Sequence, residues 1–304
     1  MSLLVLGSIG LDTIKTPLAE HADLLGGSAS YASVAASFFT PVRLIGIVGD
    51  DFPQAHTAYF QSRNIDLGGL QTVPGRTFRW CGEYHADFNN RTTLSTELGV
   101  FETFNPQLPE DYRTTPYVLL GNIGPDLQGH VLDQMERPKF IVADTMNLWI
   151  NITNEALHKL LKRVDMLVLN DEEARQLTKE ENLIRAGRAL LELGPRFVAI
   201  KKGEHGCMLF GEGGAFFATG AYPLAEIHDP TGAGDSFVGA LAGYVASKNP
   251  KGVTFDLLRA AVAHGSVMAS FNVEAFSLER LRTLTNVQLA ERFNQFKAMT
   301  RFEE

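Results

Sequence analysis

The chain has 304 residues, 45% of them hydrophobic and 20% charged, which is the balance of a globular protein with ample length for a large core. Its 27 basic and 35 acidic residues leave a formal charge of −8, and no Lys/Arg run exceeds two residues, so a general nucleic-acid or anionic-membrane surface is argued against. The two cysteines, Cys81 and Cys207, are too few for a disulfide framework or a Cys-based metal site, and they predict small buried hydrophobes in a reducing compartment. Met1 leads into the apolar run Leu3–Leu6 without a basic segment or a cleavage-type site. No apolar stretch approaches the ~20 residues of a membrane span. A cytoplasmic chain with no membrane partner is the expectation.

Leu3–Leu6 is continuous and apolar, the pattern of a buried parallel strand, and Ser8 to Asp12 follow at its C-terminal end. Gly26-Gly27-Ser28 opens a helix of small residues over 29–38, with Tyr31 in its first turns. A strand over 42–48 and a helix to about Arg63 come next. Residues 71–104 change character. Phe78, Trp80 and Tyr84 alternate with Arg79, Cys81, Glu83 and His85, a period of two that predicts a half-buried antiparallel strand. Asp87-Phe88-Asn89-Asn90 reads as a hairpin turn and 91–98 as the returning strand. This β element, joined by part of 11–20, reads as a lid or a dimer contact. From Tyr117 onward strands are predicted at 117–120, 140–143, 166–169 and 197–200, with helices at 126–135, 153–163, 172–177 and 183–193. A hairpin is expected over 207–210 and 215–218, then helices at about 254–271, 277–284 and 286–298. Such alternation predicts an α/β fold with a mainly parallel sheet covered on both faces, as one domain over 1–304.

Residues 227–245 concentrate the chemistry. Asp229-Pro230-Thr231-Gly232-Ala233-Gly234 is a polar, Gly-rich turn, and Phe237, Ala240, Leu241, Tyr244 and Val245 form a helical stripe behind it. The turn therefore sits on a helix N-terminus, where free N–H groups and the dipole favour an anion. Asp235 falls in the first helical turn. An anion cradle beside a carboxylate suits phosphoryl transfer, with the carboxylate taking a proton from the attacking hydroxyl. Further polar residues follow strand ends: Asp12, Asn122, Asp144, Asn147, Asn170, Glu173, Lys201 and Lys202. In a parallel sheet these ends share one edge, so the residues converge there, and carboxylates with amides hold Mg²⁺ through oxygens and water.

The string Asp229-Pro-Thr-Gly-Ala-Gly-Asp-Ser-Phe237 resembles the C-terminal signature of the ribokinase-like (PfkB-type) carbohydrate kinases, and the resemblance extends back to Gly26-Gly27. It implies a three-layer sandwich with a small β-sheet lid, ATP and Mg²⁺ as cofactors, a monovalent cation as a further candidate, and a homodimer through the lid. It makes Asp235 the catalytic base and Gly232, Ala233 and Gly234 the anion hole. Asp12, Gly26, Gly27, Tyr31, Asn122 and Asp229 would face the substrate. Asn170, Lys202, Gly203, Gly206, Thr231 and His264 would face the nucleotide, and Asn170 with Glu173 would hold Mg²⁺. Three departures stand out. The family carries Asn at Gly10 and at Tyr31, and often Thr at Lys201. The expected activity is ATP-dependent phosphorylation of a hydroxyl on a small sugar. A nucleoside kinase on the same fold and a non-catalytic binding homologue are the alternatives.

Overall fold

The computed structural model describes residues 1–85, Phe88 and 90–301. The chain lays down β1 (Leu3–Leu6), β2 (Gly10–Lys15), β3 (Glu20–Gly26) and α1 (Ser28–Ser37). Next come β4 (Val42–Gly49), α2 (Gln54–Ser62), β5 (Ile65–Val73), β6 (Phe78–Tyr84) and β7 (Arg91–Glu97). Alternation follows: β8 (Tyr117–Leu120), α3 (Pro125–Gln134), β9 (Phe140–Asp144), α4 (Asn147–Ile152), α5 (Asn154–Leu161), β10 (Met166–Asn170), α6 (Asp171–Thr178), α7 (Leu183–Glu192) and β11 (Phe197–Lys201). A hairpin, β12 (Cys207–Gly211) and β13 (Phe216–Thr219), precedes α8 (Ala233–Lys248), α9 (Phe255–Asn272), α10 (Glu279–Thr283) and α11 (Asn286–Met299).

Among the described residues nine strands form one sheet in the order β13-β12-β11-β10-β9-β8-β1-β4-β5. Every pairing is parallel except those of the β11-β12-β13 edge. Each central strand is apolar on both faces because both are covered. On β1, Leu3 and Val5 belong to the core beneath α1, α8, α9 and α11, while Leu4 and Leu6 belong to the core beneath α3, α5, α6 and α7. The expected α/β sandwich is therefore present. Among the described residues no helix is long and apolar enough to cross a membrane.

A second sheet of four strands, ordered β3-β2-β6-β7, stands apart from the first. Its strands differ from the expected lid segments at 11–20 and 71–104. β3 was not anticipated, because Glu-His-Ala-Asp-Leu-Leu-Gly has no alternation and its first half is exposed. β5 likewise lacks a clean pattern, and it joins the edge of the large sheet rather than the lid. A Cβ on its Gly69 would lie 2.2 Å from the Ile45 side chain, so the glycine permits close strand contact. β6 pairs antiparallel with β7, as predicted, but parallel with β2. Asp87 and Asn89 of the expected hairpin turn lie outside the described residues.

Helix α8 has more than the one buried stripe its spacing suggests. Gly239 and Gly243, one turn apart, lie against Ala32 and Ala36 of α1, and Phe237 packs on Gly265 of α9. A Cβ on Gly239 would sit 2.3 Å from the Ala32 carbonyl oxygen. Small residues thus let α1, α8 and α9 approach closely, and they hold the N-terminus of α8 rigidly at the sheet edge.

Candidate active site

The turn before α8 is fastened from below. Asp229 is fully buried, and its carboxylate accepts from the Thr231 N–H at 2.8 Å and the Ser277 N–H at 2.9 Å. Asn272, at the end of α9, donates to the Thr231 carbonyl at 2.8 Å and accepts from the Ser236 hydroxyl at 2.9 Å. Both carboxylate oxygens of Asp229, which was expected to face the substrate, are engaged by backbone N–H groups, so the residue anchors the turn. Neither Asn272 nor Ser277 stood out in the sequence, since they contact the turn only through the fold.

Gly232 caps α8 with φ 74°, in the left-handed region that favours glycine. The Tyr31 ring lies directly behind it: a Cβ on Gly232 would be 2.2 Å from that ring. Tyr31, expected to face the substrate, is 1% exposed, and its ring backs the turn. Its hydroxyl is buried without a hydrogen bond among the described residues. Gly232→Ala is expected to lower stability by roughly 1–3 kcal/mol through φ strain and overpacking. Adding Tyr31→Ala makes room, so the pair should cost less than the sum in urea titration. Strict additivity would show that ring and turn are not in contact.

The Ala233 N–H is used by the Pro230 carbonyl at 3.2 Å, so only part of the expected anion hole is open. The Gly234 N–H has no partner among the described residues. Asp235 is half-buried in the first turn. Burial, and then the Asp144 charge, raise its pKa to about 6, against the pull of Lys201 and Arg91.

Lys201 lies between these carboxylates at the end of β11. Its Nζ is 3.4 Å from Asp144 Oδ1, and a Cβ on Gly234 would be 3.0 Å from it. Burial alone would lower the Lys201 pKa, but Asp144, Glu173 and Asp235 outweigh it and keep the ammonium charged. Asn170 and Glu173 form a reciprocal capping box on α6, each side chain accepting from the other's backbone N–H at 2.8 Å. Burial, opposed by Lys201 and reinforced by Asp144, raises Glu173 to about 7. Among the described residues no cluster of three or more His, Cys, Asp and Glu side chains could hold a metal ion.

Asp12 is 4% exposed, and its carboxylate lies against the Cα of Gly26, where a Cβ would be 2.0 Å away. Gly27 caps α1 with φ 90°. The Oδ1 of Asp12 has no hydrogen-bond partner among the described residues. Burial, with the charges of Asp229 and Asp235, raises Asp12 to about 8. Gly10 and Asp12 pair in register with Phe78 and Trp80, so these residues share one face of the small sheet. The Phe78 ring covers Gly10, leaving 2.6 Å for a Cβ there. Tyr84 lies further along the same face of β6, and its hydroxyl accepts from Thr231 at 3.2 Å. The lid face therefore meets the turn as an aromatic row beside a buried carboxylate. Asn122 is committed elsewhere: it accepts from Trp149 Nε1 at 2.8 Å and donates to Met146 Sδ at 3.2 Å.

A cavity of about 430 Å³ adjoins the turn, lined by Lys201, Gly203, Gly206, Tyr222, Gly234 and Ser270 among others. It gathers two of the expected nucleotide-facing glycines. Lys202 is outside its lining. His264 is elsewhere, stacked between Tyr244 at 4.1 Å and Phe293 at 3.9 Å, and burial lowers its pKa to about 4. Those rings account for the histidine without a nucleotide. A second cleft, of about 530 Å³, lies between α7 and the β12–β13 hairpin, away from every strand-end group described above.

A parallel α/β sheet with an anion-ready helix N-terminus, flanking carboxylates and an adjoining cavity is the equipment of a phosphotransferase. Residues 21–280 match the model of the pfkB family of carbohydrate kinases, and the chain belongs to that family. It is a kinase that transfers phosphate to a hydroxyl. The cytidine kinase of Thermococcus kodakarensis is 30% identical over 251 residues, covering 80% of this chain and 88% of that protein. The ribokinase of Giardia lamblia superposes with a TM-score of 0.80 at 17% identity, over 97% of this chain and 99% of its own. The nucleoside kinase of Methanocaldococcus jannaschii gives 0.77 at 18% identity, over 97% and 98%.

Proposed function

We propose that this kinase phosphorylates a hydroxyl on the sugar of a nucleoside. The observation that supports the base is the aromatic face of the small sheet: Phe78 and Trp80 stand beside Asp12, in register with the strand that carries it. A base stacks on such a face, whereas a free sugar leaves it uncovered. The unpartnered Asp12 oxygen takes a sugar hydroxyl as donor, relieving a penalty of roughly 1–3 kcal/mol. The 30% identity to a cytidine kinase points the same way. The small sheet serves as the lid of a single domain and excludes water, the competing acceptor. Its outer strand β7 is exposed throughout and carries Leu94, a surface suited to pairing with a second copy.

Asp235 takes the proton of the attacking hydroxyl, and Gly234, at the start of α8, presents its N–H to the moving phosphoryl group. The nucleotide occupies the 430 Å³ cavity. Mg²⁺ would neutralise phosphate charge there, held by the phosphates and water, with the uncommitted Glu173 oxygen in support. The capping box occupies the Asn170 oxygen and one Glu173 oxygen, so direct ligation by both is not part of this reading.

The test is ADP release with ATP and matched panels of nucleosides and free sugars. A nucleoside is expected to show the highest kcat/KM, at least about tenfold above any sugar, as a stacking gain of 1–3 kcal/mol implies. A free sugar exceeding every nucleoside would overturn the assignment. Exchanging K⁺ for Li⁺ in the same assay reads any monovalent-cation requirement.

A further inference from the structure

We propose that Lys201 is a catalytic residue of the phosphoryl transfer, its ammonium group contacting the phosphoryl group as it moves from ATP to the acceptor. The proposal rests on the kinase reading and adds to it a fixed cation beside the open Gly234 N–H. Lys201 ends β11, opposite the N-terminus of α8. Its side chain is 17% exposed and lines the cavity together with Gly203, Gly206 and Gly234. The Nζ stands where a Gly234 side chain would begin, 3.0 Å from that Cβ position, so the glycine is what admits it.

Neutralising Asp144 is the simpler role, and it does not account for the geometry. The contact to Asp144 is long, at 3.4 Å, and it is the only hydrogen bond of the ammonium among the described residues. An ammonium has three N–H donors. The others remain for a ligand at the mouth of the cavity, next to the open Gly234 N–H. That ligand is anionic and arrives beside Asp144, Glu173 and Asp235, three groups of like charge. Without a fixed cation the phosphates would meet those carboxylates directly.

In the transfer, the acceptor oxygen bonds to the γ-phosphorus while its proton passes to Asp235. The bond from that phosphorus to the bridging oxygen breaks, and ADP leaves with the electron pair. Lys201 stays protonated throughout and balances charge on the non-bridging oxygens, a preorganised electrostatic contribution that needs no reorganisation.

Lys201→Met and Lys201→Arg test this. Lys201→Met is expected to lower kcat by roughly 10²–10³-fold, the cost of losing one such donor, with the acceptor KM little changed. Calorimetry with the non-hydrolysable analogue AMP-PNP and with AMP supplies a readout that needs no acceptor. The AMP-PNP affinity should fall at least about tenfold relative to AMP, since only the former carries a γ-phosphate. Lys201→Arg should recover part of both losses. If Lys201→Met does not fold, Lys201→Thr combined with Asp144→Asn removes both halves of the ion pair and carries the same affinity ratio. An unchanged ratio in a folded variant, or equal losses for AMP-PNP and AMP, would sink the proposal. Failure of wild-type protein to bind AMP-PNP at all would instead strike the kinase reading.

Discussion

Asp235→Asn is expected to lower kcat by roughly 10²–10⁴-fold, the usual contribution of a positioned general base, while AMP-PNP affinity stays within about twofold. The substitution is nearly isosteric, and asparagine is tolerated near a helix N-terminus, so the turn should keep its shape. What is lost is the ability to accept the hydroxyl proton. A rate within tenfold of wild type would remove Asp235 from the mechanism. The pH dependence follows from the same group. Burial and Asp144 raise its pKa to about 6, so the base is ionised above that pH and protonated below it. Activity should therefore fall as pH drops through about 6 and level off above. Lys201 lowers the Asp235 pKa, so Lys201→Met should move this acid limb upward. A limb that stays in place would separate the two residues.

What could be read from the chain follows the range over which each signal acts. The turn, the α8 N-terminus and Asp235 are local, contained in nine consecutive residues, and the structure brings them together as expected. The strand ends could be placed on one edge because strand–helix alternation alone dictates a parallel sheet. Signals carried by tertiary contact were not legible. Asn272 and Ser277 hold the turn from 41 and 48 residues away, and nothing in their own surroundings marks them. Lys201 could be placed on the site edge from its strand end, but not that Gly234 admits its ammonium. Tyr31 illustrates the opposite error. Its place near the glycine pair suggests a residue facing the substrate, but the absent side chain of Gly232 leaves a space that the Tyr31 ring fills. The resemblance places His264 against the nucleotide by its approximate position in the chain, yet the aromatic rings that stack on it come from α8 and α11. Strands β3 and β5 escaped because exposed lid and edge strands need not alternate.

Asp229 separates an anchor from a ligand, and Asp229→Ala carries the largest expected loss of stability, roughly 3–5 kcal/mol. Two charge-assisted hydrogen bonds disappear, and two backbone N–H groups, those of Thr231 and Ser277, are left buried without acceptors. Burial raises the Asp229 pKa, but the N–H groups that surround it favour the ionised form and limit that rise. Asp229→Asn should fall between wild type and alanine: its oxygen can serve one N–H, while its amide nitrogen faces the other as donor against donor. Chemical denaturation gives the stability difference, and the temperature dependence of AMP-PNP binding shows whether the turn still forms. If Asp229 instead bound the acceptor, Asp229→Ala would raise the acceptor KM and leave the unfolding midpoint near wild type. The anchor role predicts the reverse order of effects. The midpoint falls first, and below it the remaining folded protein keeps an acceptor KM set by Asp12, whose Oδ1 has no hydrogen-bond partner among the described residues.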